Sequence, residues 1–423
     1  MIIINMKYTV RYILVTLSLI FAGIDAASSQ TRDLDYYIHF AMENSPLLKE
    51  NDNQLLINQL DSLILKANYK PQISAGSTAI YPPIIKGYGY DEAITNGGEY
   101  NALLSFNQTI LFKKHLQAQL NSYNLETQSI RNTQKIAEQD IKLAITAQYI
   151  AAYSNWQDIL FNGEILELLK QEELALKQLT ERSVYKQTDY LNFSVNLQQQ
   201  QLSVGQLRKE YMDNIAILNY MCGIIDTAGV QLRPPDILLK LPPMYEATLQ
   251  FDKFRIDSLK LKNSDALIDY SYQPKLSIFA DAGFNSSFSF EPYKNFGASV
   301  GLSLSMPVYD GNQRKKQHDK IRISELIRRD YQDFSRRQYN QQLLQLYQQL
   351  TQTDNLISQA QSVVKYSEAL MEAYRKQIQT GDTSITDYIL AINNYLNAKY
   401  AVTQNTTNKM QIINQINYWN DEK

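Results

Sequence analysis

The sequence contains one pattern twice, over residues 100–220 and 298–418, with the two copies 198 positions apart. The clearest matches are Thr188-Asp189-Tyr190 with Thr386-Asp387-Tyr388, and Asn219-Tyr220 with Asn417-Tyr418. A constant offset without gaps over about 120 residues is the mark of a duplicated architecture. Each copy is predicted to contain a helix, two strands, a very long helix, a short break and a returning helix. Such a chain is more typical of one part of a symmetric tube than of an enzyme.

Charge and cysteine content exclude several classes of protein. The 423-residue chain carries a formal net charge of -2 at pH 7, which gives no signature of nucleic-acid binding. Its single cysteine, Cys222, rules out an internal disulfide.

At the N-terminus, Lys7 and Arg11 precede an apolar run of about a dozen residues and then small residues at 26–29. This order predicts a cleavable signal peptide over residues 1–28, with an uncleaved membrane anchor as the alternative.

Four segments alternate between apolar and small polar residues, as strands do. They form two pairs, 72–81 with 99–111 and 275–285 with 296–308. Strands of about 10 residues with one apolar and one small polar face match transmembrane β-barrels. A half-buried sheet in a soluble protein has the same pattern, so both interpretations remain open from the strands alone.

The remaining segments predict two long helices and two returning helices. These are 112–183 and 187–222 in the first copy, and 312–379 and 384–419 in the second. A helix of about 70 residues is roughly 105 Å long, more than any globular core, so it must pack laterally against other helices. The predicted domains are the signal peptide, a first repeat over 29–228, a Pro-rich linker over 229–245 and a second repeat over 246–423.

Backbone hydrogen bonding predicts an oligomer. Four strands cannot close a barrel, because the smallest barrels use about eight, and each unpaired backbone group at an open edge in lipid costs several kcal/mol. Two chains would leave no open lumen, whereas three would supply about twelve strands around a water-filled passage. The predicted fold is therefore a mixed α and β membrane protein with internal duplication. Each chain contributes four transmembrane β-strands to a trimeric 12-stranded β-barrel and long antiparallel helices to a coiled-coil barrel.

Three motifs carry a resemblance to a known family. They are Ser305-Met306-Pro307-Val308-Tyr309-Asp310-Gly311 at a strand-to-helix junction, Gly381-Asp382-Thr383-Ser384-Ile385-Thr386-Asp387 before a returning helix, and Leu218-Asn219-Tyr220-Met221-Cys222-Gly223 at the end of another. In this order and spacing, the chain resembles the TolC family of outer-membrane efflux channels over essentially its whole mature length. The resemblance implies a homotrimer in the outer membrane of Gram-negative type, with a helical tunnel through the periplasm. It also implies a periplasmic adaptor protein and an inner-membrane pump as partners.

The expected function is therefore a passive exit duct for small molecules. The three histidines are scattered and no P-loop occurs, so we expect no enzyme, no metal site and no cofactor. An exit duct for type I protein secretion shares the fold and remains an alternative. A periplasmic structural coiled-coil protein is an alternative of another class.

The breaks before the returning helices are the candidate functional sites. The helix-tip turn of the second copy comprises Gly381, Asp382, Thr383 and Ser384. Gly381 suits a left-handed helix end, and Ser384 with Asp387 fits a capping box. The other interpretation of Asp387 is a pore constriction, in which three chains bring Asp189 and Asp387 six times to the narrow end of a tunnel. In the family, aspartates at the matching positions line the periplasmic entrance.

The sequence departs from better-known members of the family near these aspartates. Thr383 and Ile378 stand where those members have arginine and tyrosine gating contacts. Leu390 stands in place of a second entrance aspartate. The contacts that hold the closed state are therefore expected to differ.

A basic cluster follows the last strand of each copy. It comprises Lys113, Lys114, Arg314, Lys315 and Lys316. One interpretation is a solvated helix start. The other is a membrane-interface cluster that contacts anionic head groups of outer-membrane lipid, worth about 1 kcal/mol per charge.

Overall fold

The structure is a computed structural model that describes residues 31–83, 85–90, 98–110, 112–226, 229–241, 245–287 and 292–420. The predicted signal peptide, 1–28, lies outside the described residues, as do Leu111 of a predicted strand and residues 227–228 and 242–244 around the predicted linker. The chain divides into two compact units, and the division falls within two long helices. Unit 1 comprises Met1–Pro46, Ala137–Pro243 and Tyr339–Asp421, and unit 2 comprises Leu47–Ile136, Met244–Gln338 and Glu422–Lys423.

The described residues form the following strands and α-helices in chain order. These are β1 (Thr31–Arg32), α1 (Leu34–Asn44), α2 (Pro46–Asn68), β2 (Gln72–Ile80), β3 (Glu99–Ile110), α3 (Lys113–Glu181), α4 (Gln187–Cys222), β4 (Gln231–Leu232), α5 (Leu249–Ser271), β5 (Lys275–Ser286), β6 (Phe296–Ser305), α6 (Gln313–Thr380) and α7 (Ile385–Trp419). Two 3₁₀ turns, Tyr245–Ala247 and Pro292–Asn295, precede α5 and β6.

One strand of the main sheet ends earlier than expected. The strand expected over 296–308 ends at Ser305, because Pro307 has no N–H to continue a strand ladder. The helix α3 runs for 69 residues without a break at Gly163, where a single glycine costs only about 1 kcal/mol. The helical pattern before the first strand divides at Ser45 into α1 and α2, with Pro46 in the first turn of α2.

The duplication is visible in the helices, but with two offsets. The helices α4 and α7 begin 198 positions apart, at Gln187 and Ile385. The helices α2 and α5 both have 23 residues, and they begin 203 positions apart, at Pro46 and Leu249. The change of offset falls between the two strands of each pair. The two copies therefore have the same order of helices and strands. They differ in length in the segment that joins the two paired strands, between β2 and β3 in the first copy and between β5 and β6 in the second.

Unit 2 contains an antiparallel sheet with the strand order β2-β3-β5-β6. Its register separates two faces. One row across the sheet is Ala75, Leu104, Ala282 and Ala298, and a row on the opposite face is Ser74, Ser105, Asp281 and Ser299. In the described part of the chain, no further strand pairs with the outer edge of β2 or of β6.

Side-chain amides join the helices of unit 2. The α2 residue Asn58 donates to the Tyr123 carbonyl of α3 at 2.8 Å and to the Thr127 hydroxyl at 2.8 Å. The α5 residue Asn263 donates to the Ala118 carbonyl of α3 at 3.0 Å. Apolar contact alone does not fix how far one helix is shifted along another. These bonds do fix that register, because each amide donates to one defined backbone or side-chain acceptor.

Unit 1 has a core around the parallel pair β1–β4. The buried Tyr149 hydroxyl donates toward the Arg233 carbonyl at 2.7 Å, and the buried Tyr211 hydroxyl bonds the Val230 carbonyl. The side chains of Arg32 and Asp226 form an ion pair. Burial raises the pKa of the Cys222 thiol in this core to about 12, so the thiol is a structural group at neutral pH.

A second polar junction joins three helices in unit 1. The buried Asn162 of α3 donates to the Tyr400 hydroxyl of α7 at 2.9 Å. The Asn162 side-chain oxygen accepts from Gln200 of α4 at 3.0 Å. Asn162, which precedes Gly163 in the chain, is thus part of a packing junction between α3, α4 and α7.

Replacing Gly283 by alanine is expected to disrupt the sheet. Gly283 has φ of 152°, and a Cβ there would lie 2.1 Å from the Ala102 carbonyl oxygen of β3. We expect Gly283→Ala to lower the free energy of unfolding by about 2 kcal/mol or more, measured by thermal melting in detergent. Its register partner Gly297 is the matched control, because a Cβ there meets no atom within 4 Å. Equal stability of both variants would contradict this account of the sheet.

Candidate functional site: the helix tips

Both long helices of unit 1 end in the same left-handed turn. Ser183 and Gly381 occupy the left-handed position, with φ of 63° and 81°. The N–H of Val184 bonds the Leu179 carbonyl at 2.9 Å, and the N–H of Asp382 bonds the Gln377 carbonyl at 3.0 Å. This is the Schellman ending of a helix. The equivalent residues are 198 positions apart, so the two turns have the same geometry although one of them uses a serine.

The two turns contact each other through Val184 and Tyr185. The Tyr185 hydroxyl lies 3.0 Å from the Ile378 carbonyl oxygen and 3.2 Å from the Thr383 carbonyl oxygen. Burial, followed by the carboxylates of Asp382 and Asp189, raises the pKa of Tyr185. A Cβ at Gly381 would lie 2.8 Å from Val184 Cγ1, so Gly381 also permits the close approach. Tyr185 therefore links the end of α6, at Ile378, to the turn residue Thr383.

The aspartates Asp189 and Asp387 have different surroundings. The Lys186 N–H donates to Asp189 Oδ2 at 3.1 Å, so the Asp189 carboxylate closes the first turn of α4. In α7 the N-cap is Ser384, whose Oγ accepts from the Asp387 N–H at 3.1 Å. The Asp387 side chain is exposed and makes no hydrogen bond with the described residues. Capping in α7 is thus done by Ser384 and leaves the Asp387 carboxylate open to solvent.

A buried ion pair lies behind the tips and was not anticipated from the sequence. Arg375 Nε donates to Glu172 Oε1 at 2.8 Å, and the Glu172 side chain is only 6% exposed. The hydrogen bond that Arg375 donates to Glu172 raises the pKa of Arg375. Within the described residues, Glu172 Oε2 and the buried Tyr388 hydroxyl have no hydrogen-bond partner. Arg375 therefore provides the compensation for a carboxylate taken out of water.

We expect Arg375→Met to destabilise unit 1 by about 2–3 kcal/mol, because it leaves the Glu172 charge buried without a partner. The side chain of Arg375 is 33% exposed, so the loss should stay below that of a fully buried pair. The double variant Glu172→Gln with Arg375→Met should recover most of this loss in a thermal-unfolding cycle. A double variant as unstable as the single one would show that the pair is not energetically coupled.

The basic cluster divides between free and bonded side chains. Lys113, Lys114, Lys315 and Lys316 are exposed. Arg314 instead donates to Asp269 Oδ1 through Nε at 3.2 Å and through a terminal guanidinium nitrogen at 2.8 Å. Its backbone N–H also donates to Asp310 Oδ2 at 2.7 Å. Arg314 is thus already paired with Asp269 of α5, whereas the four lysines remain exposed.

His318 forms a second link between α5 and α6. Its Nδ1 lies 2.6 Å from Asp265 Oδ1, and its Nε2 lies 3.0 Å from Asp269 Oδ1. The hydrogen bond to Asp265 is the largest cause that raises the pKa of His318. The hydrogen bond from Arg314 lowers the pKa of Asp269. The i, i+4 spacing of the two aspartates on α5 was a usable signal in the sequence, but the distant histidine was not.

The His318 link should weaken as pH rises. Its stabilisation is complete below the unfolded pKa of about 6.5 and is lost as pH passes through the raised folded pKa. We expect the melting temperature of the wild-type protein to fall more than that of His318→Gln as pH rises above about 6.5. His39 and His115 are present in both proteins, so the difference isolates His318. Parallel pH profiles would contradict the assignment.

Among the described residues we find neither a cluster of metal ligands nor a helix suited to crossing a membrane. They contain no group of three or more His, Cys, Asp or Glu side chains placed to hold a metal ion. None of their helices combines the length and the apolar character that crossing a membrane requires.

Comparison with known proteins identifies the fold. No protein-family model matches the sequence, and no curated protein matches it. Among solved structures, the outer membrane protein VceC of Vibrio cholerae has a TM-score of 0.70 at 12% identity, over 92% of this chain and 96% of VceC. CusC, studied for transmembrane channel formation, has a TM-score of 0.74 at 11% identity, over 91% of each chain. The outer membrane channel CmeC of Campylobacter jejuni has a TM-score of 0.71 at 12% identity, over 92% of this chain and 85% of CmeC.

These likenesses extend over nearly the whole chain, but the identities of 11–12% restrict the conclusion to the fold. The chain has the fold of these outer-membrane channels, as its resemblance to the TolC family predicts.

Proposed function

We propose that this protein is the outer-membrane channel of a tripartite efflux system, a passive exit duct for small molecules across the periplasm and the outer membrane. The observation that carries the proposal is a four-stranded sheet that has an apolar face and two edges without strand partners in the described chain. The likeness in fold to outer-membrane channels supports it.

The edges of the sheet require more strands than one chain supplies. The strands β2 and β6 have nine and ten residues, and each presents a row of backbone N–H and C=O groups on its outer side. In hydrocarbon such groups cost several kcal/mol apiece, so only a closed barrel is stable there. Pairing β6 of one copy with β2 of the next uses both edges, and three copies give a barrel of about twelve strands.

The faces of the sheet fit the two surroundings of such a barrel. Val300, Leu302 and Leu304 lie on the apolar face of β6 and are 70–80% exposed in the single chain. Large apolar side chains at this exposure are stabilised when lipid covers them. The serines of the opposite face would then line a water-filled lumen, as small polar residues do in transmembrane barrels.

The helix tips fit the entrance of the duct. Three copies would place three open Asp387 carboxylates and three Asp189 carboxylates around a constriction, which attracts cations. The sequence contains no P-loop, so the proposal assigns the energy for transport to an inner-membrane pump, joined to the tips by a periplasmic adaptor protein. The four exposed lysines at the starts of α3 and α6 would face anionic lipid head groups at the inner side of the membrane.

The proposal is tested by extraction, mass and conductance. We expect the protein to stay in the membrane when outer membranes are washed with urea, whereas a peripheral coiled-coil protein would be released. In mild detergent it should have the mass of three chains, and in planar lipid bilayers it should conduct ions. A stable single subunit that forms no pores would contradict the proposal.

The tip aspartates can be tested in the same pores. We expect Asp387→Asn to reduce the preference for cations, measured as the reversal potential in a KCl gradient, because it removes an open carboxylate and keeps the trimer. Combining it with Asp189→Asn should reduce the cation preference further, because a second charge is removed from each chain. The turn should be kept, since the amide oxygen of asparagine can still accept from the Lys186 N–H. Ser384→Ala is the control: it removes the N-cap at a cost of about 1 kcal/mol and leaves the charge. Unchanged selectivity in the double variant would reduce both aspartates to structural groups.

A further inference from the structure

The polar face of the sheet carries a charged residue in the middle of a strand, Asp281, that the proposed function does not use. The strands β2, β3, β5 and β6 of this sheet contain three charged residues, namely Glu99, Lys275 and Asp281. Glu99 and Lys275 are the first residues of β3 and β5, where a strand meets its flanking segment. Asp281 lies in the middle of β5, six residues beyond Lys275.

The register fixes where the Asp281 carboxylate lies. Asp281 pairs with Ser105 of β3 on one side and with Ser299 of β6 on the other. It therefore shares a face with the serines and lies opposite the apolar residues Ala280 and Ala282. Because β5 has a strand partner on both sides, this position is fixed by the sheet and does not depend on a loop.

The surroundings of Asp281 leave its charge uncompensated. The two serines beside it carry no charge. Among the described strands of the four-stranded sheet, Lys275 is the only cation, and it lies about 20 Å away along β5 at 3.3 Å per residue. A carboxylate in the middle of a membrane strand is stable only where water reaches it, so the lipid side of a barrel is excluded for Asp281.

We propose that Asp281 forms a ring of three carboxylates inside the barrel, a charge filter that favours cationic solutes and is separate from the aspartates at the helix tips. This inference rests on the proposed trimeric channel, and it specifies the solute class that the barrel passes most readily. The filter acts over distance, because its three charges stand on the wall of a wide lumen. Its effect therefore grows as the Debye length rises from about 10 Å at 0.1 M salt to about 30 Å at 0.01 M.

The test compares variants of the full-length protein in planar bilayers under KCl gradients. Asp281→Asn removes the charge with little change of shape, and we expect it to move the reversal potential toward zero. The shift should be larger near 0.01 M salt than near 0.1 M. Adding S299D to D281N returns a carboxylate to the same row of the sheet, on the neighbouring strand, and should restore the cation preference.

The outcomes separate this inference from the proposed function. If D281N keeps the wild-type reversal potential at low salt while Asp387→Asn changes it, the barrel filter is refuted and the channel stands. If S299D fails to restore selectivity in D281N trimers that still conduct, the effect of Asp281 is structural and the filter is refuted as well. If the wild-type protein forms no pores, the proposed function fails, and this inference fails with it.

Discussion

The unpaired edges of one four-stranded sheet impose the main constraint on this molecule. In water, the outer N–H and C=O groups of β2 and β6 can bond solvent, and the sheet of a single chain is tolerable. In hydrocarbon they have no such partner, and the cost of two rows of groups exceeds the free energy of folding of a typical domain. The exposed apolar residues of β6 create the opposite demand, since they favour leaving water. In the proposed membrane barrel, association of several chains would satisfy both demands together.

In both units, side-chain amides of one helix bond backbone carbonyls of a neighbouring helix. In unit 1, Gln411 of α7 donates to the Ala147 carbonyl of α3 at 2.8 Å, and Asn414 donates to the Leu143 carbonyl at 3.0 Å. Asn58 does the same in unit 2. An amide that reaches a backbone carbonyl on a neighbouring helix is satisfied at one register only. Long helices with an even surface could slide past one another, and these bonds prevent it.

Periodicity in the sequence was sufficient to predict the long helices and the strands, but it was insufficient to predict the contacts between distant residues. The two long helices, the returning helices and the four strands of the main sheet start close to their expected positions because alternation and helical spacing extend over many residues. The two-residue pair β1–β4 is too short to leave a pattern. Glu172 and Arg375 are 203 positions apart, and no local rule connects them. At the tips, Gly381 was identifiable by its residue type, but Ser183 in the same conformation was not.

The two tips show how a duplicated backbone acquires two kinds of aspartate. Lys186 and Ser384 occupy equivalent positions, 198 residues apart, at the start of α4 and of α7. Lysine has no side-chain acceptor, so at the first tip the Asp189 carboxylate turns back to the Lys186 N–H. Serine supplies an oxygen to the helix N-terminus, and the Asp387 carboxylate at the second tip stays in solvent. A difference of one residue thus gives the two aspartates different surroundings: the Asp189 carboxylate bonds the backbone of the turn, while the Asp387 side chain stays exposed. In the proposed trimer this would give three open carboxylates, one from each chain, where the sequence alone predicted six equivalent ones.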